Sequence, residues 1–261
     1  MARLDSELVA RGIARSRERA KEMIKSGSVT VNGTQALKPS AEVGPEDELV
    51  SSETEQYVGR GALKLEKAVN TFGLDLTGLT CADIGASTGG FTEYMLSCGA
   101  AKVYAVDVGH GQLAQSLRED SRVVNMEGTD IRNISPDDIG GQVDFISADV
   151  SFISLKLILP KICELLKEGA HSAVLIKPQF EAGRKDIGKG GVVKDKKVHF
   201  RVLEDIDSFA RTSGLTPAGY TSSPIKGGSG NIEYLVHLIK GSGTDTAFDL
   251  RELAESSFKQ L

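Results

Sequence analysis

The segment Cys81-Ala-Asp-Ile-Gly-Ala-Ser-Thr-Gly-Gly-Phe-Thr92 constrains this chain most. It reads as a buried strand that breaks into a glycine turn and then enters a helix. Asp83 stands just before the turn. Gly85, Gly89 and Gly90 carry no Cβ, so the backbone there can approach a ligand closely. A second strand, Lys102-Val-Tyr-Ala-Val-Asp107, ends in an acid. That is where a nucleoside on an open α/β sheet presents its ribose hydroxyls. Together the two signals indicate a nucleoside cofactor on such a sheet.

Three chemistries compete for the turn, beside the plain alternative of an ordinary strand–turn–helix joint. The dinucleotide fingerprint is G-x-G-x-x-G, and Ser87 stands where its second glycine admits the pyrophosphate. The turn also contains Gly85-Ala-Ser87-Thr-Gly89, the G-x-S-x-G nucleophile elbow of α/β-hydrolases. The order Ser87, Asp149, His237 would suit a hydrolase triad, but that fold needs strands and an oxyanion loop before its serine. Only a small, different module lies upstream. The remaining reading is D-x-G-x-x-x-G with an acid after the next strand, a pattern of S-adenosylmethionine sites. In that reading Asp83, Gly85, Ser87, Gly89, Gly90, Phe91 and Asp107 hold the cofactor, with Asp107 on the ribose.

Composition narrows the function classes. The chain has 261 residues, 40% hydrophobic and 26% charged, as expected of a globular protein with one sizeable domain and a small one. No apolar run reaches a membrane-spanning length, and the first residues lack the apolar core of a signal peptide. Cys81, Cys98 and Cys163 are odd in number and widely spaced, and the four histidines are scattered. Neither a disulfide framework nor a metal site is expected, and a cytoplasmic location fits. The net charge is −5, yet residues 1–38 carry eight Lys/Arg against four Asp/Glu, and residues 39–55 carry six acids and no base. A basic head is followed by an acidic stretch.

Residues 1–50 read as a separate module. Leu4 to Ala10 forms a short helix ended by Gly12, and Ser16 caps a second helix, Arg17 to Lys25. On that helix Ala20, Met23 and Ile24 form an apolar stripe. Arg17, Lys21 and Lys25 recur every four residues and share a face. Val29-Thr-Val31 is a strand before the hairpin signal Asn32-Gly33, and Leu49-Val50 closes the module. Residues 51–59 link it to a domain over 60–240. There helices over 60–72, 89–98, 112–118, 154–167 and 197–213 alternate with strands over 80–84, 102–107, 122–126, 143–148 and 171–177. Two late strands fall near 216–222 and 231–239. This alternation predicts a Rossmann-like, mainly parallel α/β sheet beside a small α+β module. Residues 241–261 supply a joint and a last helix, 247–261.

In such sheets ligands bind at the carboxyl ends of the strands. Asp149 ends the apolar strand Phe145-Ile-Ser-Ala, and Lys177 ends Ala173-Val-Leu-Ile just before Pro178. A lysine there is costly to desolvate unless paired, and Asp149 is a candidate partner; the alternative is a lysine that snorkels to water. Asp149-Val-Ser-Phe152 lacks the prolines of the D-P-P-Y-like turn of enzymes that methylate exocyclic base amines. The acceptor is therefore not expected to be a base nitrogen.

With those residues in view, 57–240 resembles the FtsJ-type ribose 2′-O-methyltransferases, whose Lys-Asp-Lys-Glu tetrad falls here on Lys64, Asp149, Lys177 and Glu233. The first fifty residues resemble the α-L RNA-binding module. GASTGGFT, DVSFISL and KPQFE together make the chain similar to the TlyA family, whose members are often labelled hemolysins. The resemblance implies S-adenosylmethionine as cofactor and methylation of a ribosomal-RNA cytidine 2′-hydroxyl, on rRNA or ribosomal subunits, without metal or membrane. It also adds Asp130 as an adenine contact, although that family commonly carries Asn in this segment.

A ribose 2′-hydroxyl is a poor nucleophile at neutral pH, so the reaction needs alignment and the removal of one proton. A lysine removes it only if its pKa is lowered, by burial or by a nearby cation. Lys64 and Lys177 in one site are expected to lower each other. Lys177 is assigned as base, with Lys64 and Glu233 positioning the ribose and Asp149 orienting the lysines. RNA contacts are expected from Arg3, Arg15, Arg17, Lys21 and Lys25, from Arg60, and from Arg184, Lys185 and Lys189. The last three sit in a basic loop, 179–197, that is mobile enough to close over a nucleotide or is simply a flexible surface loop, and the basic face of the first unit is otherwise a solvated one. Two other classes remain: a non-catalytic RNA-binding or ribosome-assembly factor, and a membrane-active hemolysin.

Overall fold

The computed structural model describes residues 2–14, 17–51, 57–241 and 246–260. The chain divides into two compact units, Met1–Val58 and Gly59–Leu261. Ser16, Arg15 and most of the polar stretch after residue 51 lie outside the described residues.

In the first unit β1 (Ala2–Arg3) leads into α1 (Leu4–Ala10) and α2 (Arg17–Lys25). β2 (Val29–Val31), β3 (Thr34–Gln35), β4 (Glu42–Val43) and β5 (Leu49–Ser51) follow. The apolar stripe of α2 is the core of this unit: Ala20, Met23 and Ile24 pack with Leu4, Leu8, Val29 and Val43. Asn32 and Gly33 both take positive φ, which closes the β2–β3 hairpin as a type I′ turn. β5 pairs with the other edge of β2, and β1 pairs with β4 through Ala2 and Val43. The short β1–β4 ladder carries no alternation and was not expected from the sequence.

The second unit begins with α3 (Ala62–Phe72), closed by left-handed Gly73. β6 (Thr80–Ile84), α4 (Gly90–Ser97), β7 (Lys102–Asp107), α5 (Gln115–Arg118), β8 (Val123–Glu127) and β9 (Val143–Ala148) come next. α6 (Leu159–Leu165), β10 (Leu166–Ile176), α7 (Pro178–Glu181) and α8 (Lys196–Thr212) lead to β11 (Leu215–Ser222), β12 (Tyr234–Lys240) and α9 (Leu250–Gln260). The sheet runs β11-β12-β10-β9-β6-β7-β8. From β10 to β8 all neighbours are parallel, while β12 is antiparallel to both β10 and β11. α3 and α4 touch each other and the sheet, and α8 and α9 pair over β11.

Two helices are shorter than their sequence pattern suggests. The segment read as one helix, 154–167, is a 3-10 turn over Leu155–Leu157 capped by Ser154, followed by α6. Pro160 sits in the first turn of α6, where its missing N–H costs nothing, and a helix running through it would lose a bond. The helix expected from residue 112 starts only at Gln115, because the N–H groups of Gln112 and Leu113 both donate to Glu127 Oε1, at 2.5 and 3.0 Å.

Candidate active site

The four tetrad positions converge at the carboxyl ends of the interior strands β9 and β10. Asp149 follows β9, Lys177 follows β10, and Lys64 lies in the first turn of α3. Glu233 immediately precedes β12, and the antiparallel pairing of Tyr234 with Ile176 sets that start beside the end of β10. Lys64 Nζ donates to Glu233 Oε2 at 2.8 Å and to Asp149 Oδ2 at 3.2 Å. Lys177 Nζ donates to Ser151 Oγ at 2.9 Å. It also lies 2.5 Å from Asp149 Oδ1, an ion pair off the axis of a hydrogen bond. Asp149 is thus shared between two lysines, and Lys64 between two carboxylates.

The two lysines were expected to lower each other, and for Lys64 the site does the opposite. Burial pushes its ammonium pKa down, but Asp149 and Glu233 outweigh burial and raise it. The two carboxylates therefore favour the charged form of Lys64.

A cleft of about 730 Å³ lies over the glycine turn, lined by Gly85, Ser87, Asp107, Asp130, Asp149, the segment 150–154, Leu157 and Ile158. A second hollow, holding Arg60, Lys64 and Lys226, shares Gly85, Ser87 and Asp149 with it. Gly85 has φ +84, and a Cβ there would lie 2.5 Å from the carbonyl oxygen of Asp149. Only glycine lets the turn meet that strand end so closely. Asp107 Oδ2 accepts from Ser87 N at 2.8 Å and Oδ1 from Gly109 N at 2.7 Å. Asp130 is clamped by Arg132, which holds its carboxyl below the usual range.

Four expected cofactor residues are placed otherwise. Asp83 is fully buried: its Oδ2 accepts from Thr92 Oγ1 at 2.7 Å and its Oδ1 from Ser147 Oγ at 3.2 Å. It ties β6 to α4 and β9 rather than facing the cleft. Gly89, at φ +96, is needed for packing, since a Cβ would strike the side chains of Leu117 and Leu113. Phe91 is buried and lines the Lys64 hollow with Gly90, not the cleft above Asp107. Ser87 Oγ donates to Gln112 Oε1 at 3.2 Å, while His237 sits against His171 at 2.8 Å and pairs in register with Ala173, away from the strand end. No hydrolase triad forms.

The expected RNA residues fall in three places. In the first unit Arg3 and Arg17 are half exposed, and both bind the buried carboxylate of Asp5, at 2.9 and 3.2 Å. Lys21 lies 4.0 Å from Glu18, Lys25 is exposed, and Arg15 is outside the described residues. In the second unit Arg60 is exposed at the Lys64 hollow. Arg184, Lys185 and Lys189 are exposed on a loop that is pinned rather than free. The buried Asn231 side chain accepts from Val193 N at 3.0 Å and donates to Gly191 O at 2.9 Å.

Sequence reasoning missed several residues of the site. Ser151 holds Lys177, and Gln179 Nε2 donates to Glu233 Oε1 at 3.1 Å. Both lie inside the motifs DVSFISL and KPQFE, two residues from a tetrad member, which is the signal that could have found them. Phe152 is 90% exposed at positive φ, with its ring centroid 5.1 Å from that of Phe180. An exposed aromatic in a left-handed turn is a costly feature that only the structure reveals.

The FtsJ-like methyltransferase family matches residues 57–240, and the S4 domain family matches residues 2–49. The 16S/23S rRNA (cytidine-2′-O)-methyltransferase TlyA of Mycobacterium tuberculosis is 44% identical over 262 residues, covering 100% of this chain and 97% of the relative. This chain belongs to the TlyA family of FtsJ-like methyltransferases. Hemolysin A of Brachyspira hyodysenteriae is 41% identical across 91% of this chain and 99% of its own length. A solved structure from Streptococcus thermophilus, also carrying a hemolysin label, superposes with a TM-score of 0.80 at 43% identity, covering 99% of this chain and 96% of that one. Among the described residues no helix is long and apolar enough to cross a membrane, and no group of His, Cys, Asp or Glu is arranged to hold a metal ion.

Proposed function

We propose that this chain transfers a methyl group from S-adenosylmethionine to the ribose 2′-hydroxyl of a ribosomal-RNA cytidine. The observation that carries the reading is Asp149, which binds both lysines and stands where the cleft over the glycine turn meets the hollow of Lys64 and Arg60. One side suits a methyl donor and the other an acceptor. The relative from Mycobacterium tuberculosis carries that activity in its name, which supports the choice of rRNA and of cytidine.

The cleft fits the cofactor chemically. Each oxygen of Asp107 accepts one backbone N–H and keeps a lone pair for a ribose hydroxyl. Val108 and Leu157 expose apolar surface at the cleft and suit an adenine ring. Bound there, S-adenosylmethionine supplies an electrophilic methyl group. The remaining work belongs to this chain: Lys64, whose charged form Asp149 and Glu233 favour, orients the 2′-oxygen. Lys177 faces one carboxylate and a neutral serine hydroxyl, and we assign it as acceptor of the hydroxyl proton at Nζ. The exposed Phe152 ring offers a face for stacking a base beside that site. Arg60 in the hollow, and Arg184, Lys185 and Lys189 beyond it, suit the phosphate backbone.

We assign residues 1–50 as the module that docks on RNA, with Arg3 and Arg17 presented by Asp5, residues 51–59 as linker and 60–240 as the catalytic domain. Cytoplasmic ribosomal subunits are the proposed partner. Incubation of the protein with labelled S-adenosylmethionine and purified ribosomal subunits tests the whole reading. Label should appear on a ribose of rRNA and map to a cytidine; label on a base, or on protein alone, would overturn it.

A further inference from the structure

α7 occupies the five residues after β10 together with Lys177, and its polar side chains reach in three directions. Lys177 meets Asp149 and Ser151. Gln179 donates to Glu233. Glu181 accepts from Ser154 Oγ at 2.6 Å and from Leu155 N at 2.8 Å. Ser154 ends the segment 149–154, which begins with Asp149 and forms a wall of the cofactor cleft, and Leu155 opens the 3-10 turn that follows. Ser154 is in turn the cap of the 3-10 turn, accepting from Lys156 N at 3.2 Å.

We infer that Glu181 is a positioning residue for methyl transfer: it clasps the turn carrying Asp149 and the cleft wall to the segment carrying Lys177. The inference rests on the function proposed above. Without the clasp, β9 and β10 still pair and Lys177 still meets Asp149 and Ser151, but Ser154 and Leu155 are no longer held to the segment that carries Lys177. Asp149 begins the segment that Ser154 ends. A misplacement of about 1 Å costs a reaction of this kind on the order of 100-fold. The carboxylate touches neither lysine, so its effect on chemistry must pass through geometry.

Glu181→Ala, Glu181→Gln and Ser154→Ala, made in the full chain, test this. Thermal melting, calorimetric binding of S-adenosylmethionine, and kcat and KM on ribosomal subunits are measured beside the wild type. In Glu181→Ala, kcat should fall about 10- to 100-fold, the cofactor Kd should rise at least about threefold, and KM for the subunit should stay within about threefold. Glu181→Gln should recover most of both losses, because its amide still accepts from Leu155 N and can donate to Ser154 Oγ. A role confined to stability would lower the melting temperature and leave kcat and the cofactor Kd alone, and that result overturns the inference. So does a Gln variant as slow as the Ala variant. If Glu181→Ala does not fold, Ser154→Ala decides: a slower kcat at an unchanged melting temperature upholds the clasp, and a wild-type kcat overturns it. A wild type that binds cofactor but leaves rRNA unmethylated breaks the functional reading; the cofactor Kd of the variants then judges the clasp by itself.

Discussion

Asp5 and Asp83 are both fully buried, one in each unit; Asp5 accepts hydrogen bonds from Arg3, Arg17 and Ser6, and Asp83 from Thr92 and Ser147. Their carboxyls move in opposite directions. The Arg3 guanidinium, joined by Arg17, holds Asp5 far below the usual carboxylate range despite burial. Burial lifts Asp83 to about 7, the neighbouring Asp149 adds to the lift, and the Thr92 and Ser147 hydroxyls only temper it. Burial penalises the charged form in both places, but it leads at Asp83, where only neutral hydroxyls oppose it, and at Asp5 it is outweighed by the guanidiniums. The active site is a third variant of the same problem. Asp149 and Glu233 are paired with lysines rather than arginines. An arginine paired with a carboxylate stays charged and serves as a fixed contact, whereas a lysine is able to give its proton away and take one back.

Lys177→Arg tests that distinction directly and carries the largest expected effect. The variant keeps a cation beside Asp149, turning the pair into one like that at Asp5. Turnover should fall about 100- to 10,000-fold, the range for loss of a general base. Melting temperature and S-adenosylmethionine affinity should change little, because a base acts in the transition state. Near-normal turnover would show that the proton leaves to water and that the site works by alignment alone.

The sequence makes the frame of this comparison legible and hides most of its partners. The glycine turn, the acids that end β7 and β9 and the lysine that ends β10 follow from where an α/β sheet presents its strand ends. The antiparallel β12 does not, because nothing in a strand's own residues states its direction. Lys64 meets Asp149 and Glu233 across 85 and 169 positions of chain, so its favoured charge is a product of the tertiary fold. Gly89 and Gly85 look alike in the sequence. Gly85 admits a neighbouring backbone, and Gly89 admits two leucines of the region around α5. Asp83 looks like a ligand because it borders the turn, yet its two hydroxyl partners come from β9 and α4.

Asp107→Ala is the next largest effect. Asp107 is a partly exposed carboxylate at the cleft, in contrast to the fully buried Asp83 on the neighbouring strand β6. Loss of its charge-assisted bonds should weaken S-adenosylmethionine binding by roughly 1–3 kcal/mol, read by calorimetry. Unchanged affinity would remove Asp107 from the cofactor site.

Asp83→Asn sharpens the comparison through pH. Asp83 titrates near 7 when folded and near the ordinary carboxylate value when unfolded. Between those values the native state holds the extra proton, so this group makes stability fall as pH rises across the window. His171 and His237, lowered by burial, act in the opposite sense as pH drops below about 6.5. The asparagine keeps the shape without the charge. Its melting temperature relative to wild type should therefore climb from pH 4 to pH 8, with a gain of roughly 1–2 kcal/mol at the alkaline end. An identical difference at pH 4, 6 and 8 would show that Asp83 stays ionised.

The smallest effect concerns what the Asp5 pair does outside the fold. Arg3 and Arg17 side chains are 48% and 52% exposed, so each keeps N–H groups for a phosphate while its Asp5 bond restrains it. Arg17→Ala removes one such cation. The slope of log affinity against log salt for ribosomal RNA should become shallower by about 0.7–0.9, the value of one phosphate contact. Asp5→Asn leaves both guanidiniums charged, so the slope should hold. Affinity should nevertheless fall a few-fold, because two long side chains must then be ordered at the moment of binding. An Arg17→Ala protein with the wild-type slope would mean that the guanidinium serves Asp5 alone. The arginine pairs of the first unit would then be structural, and the RNA contact would rest on Lys21, Lys25 and their neighbours.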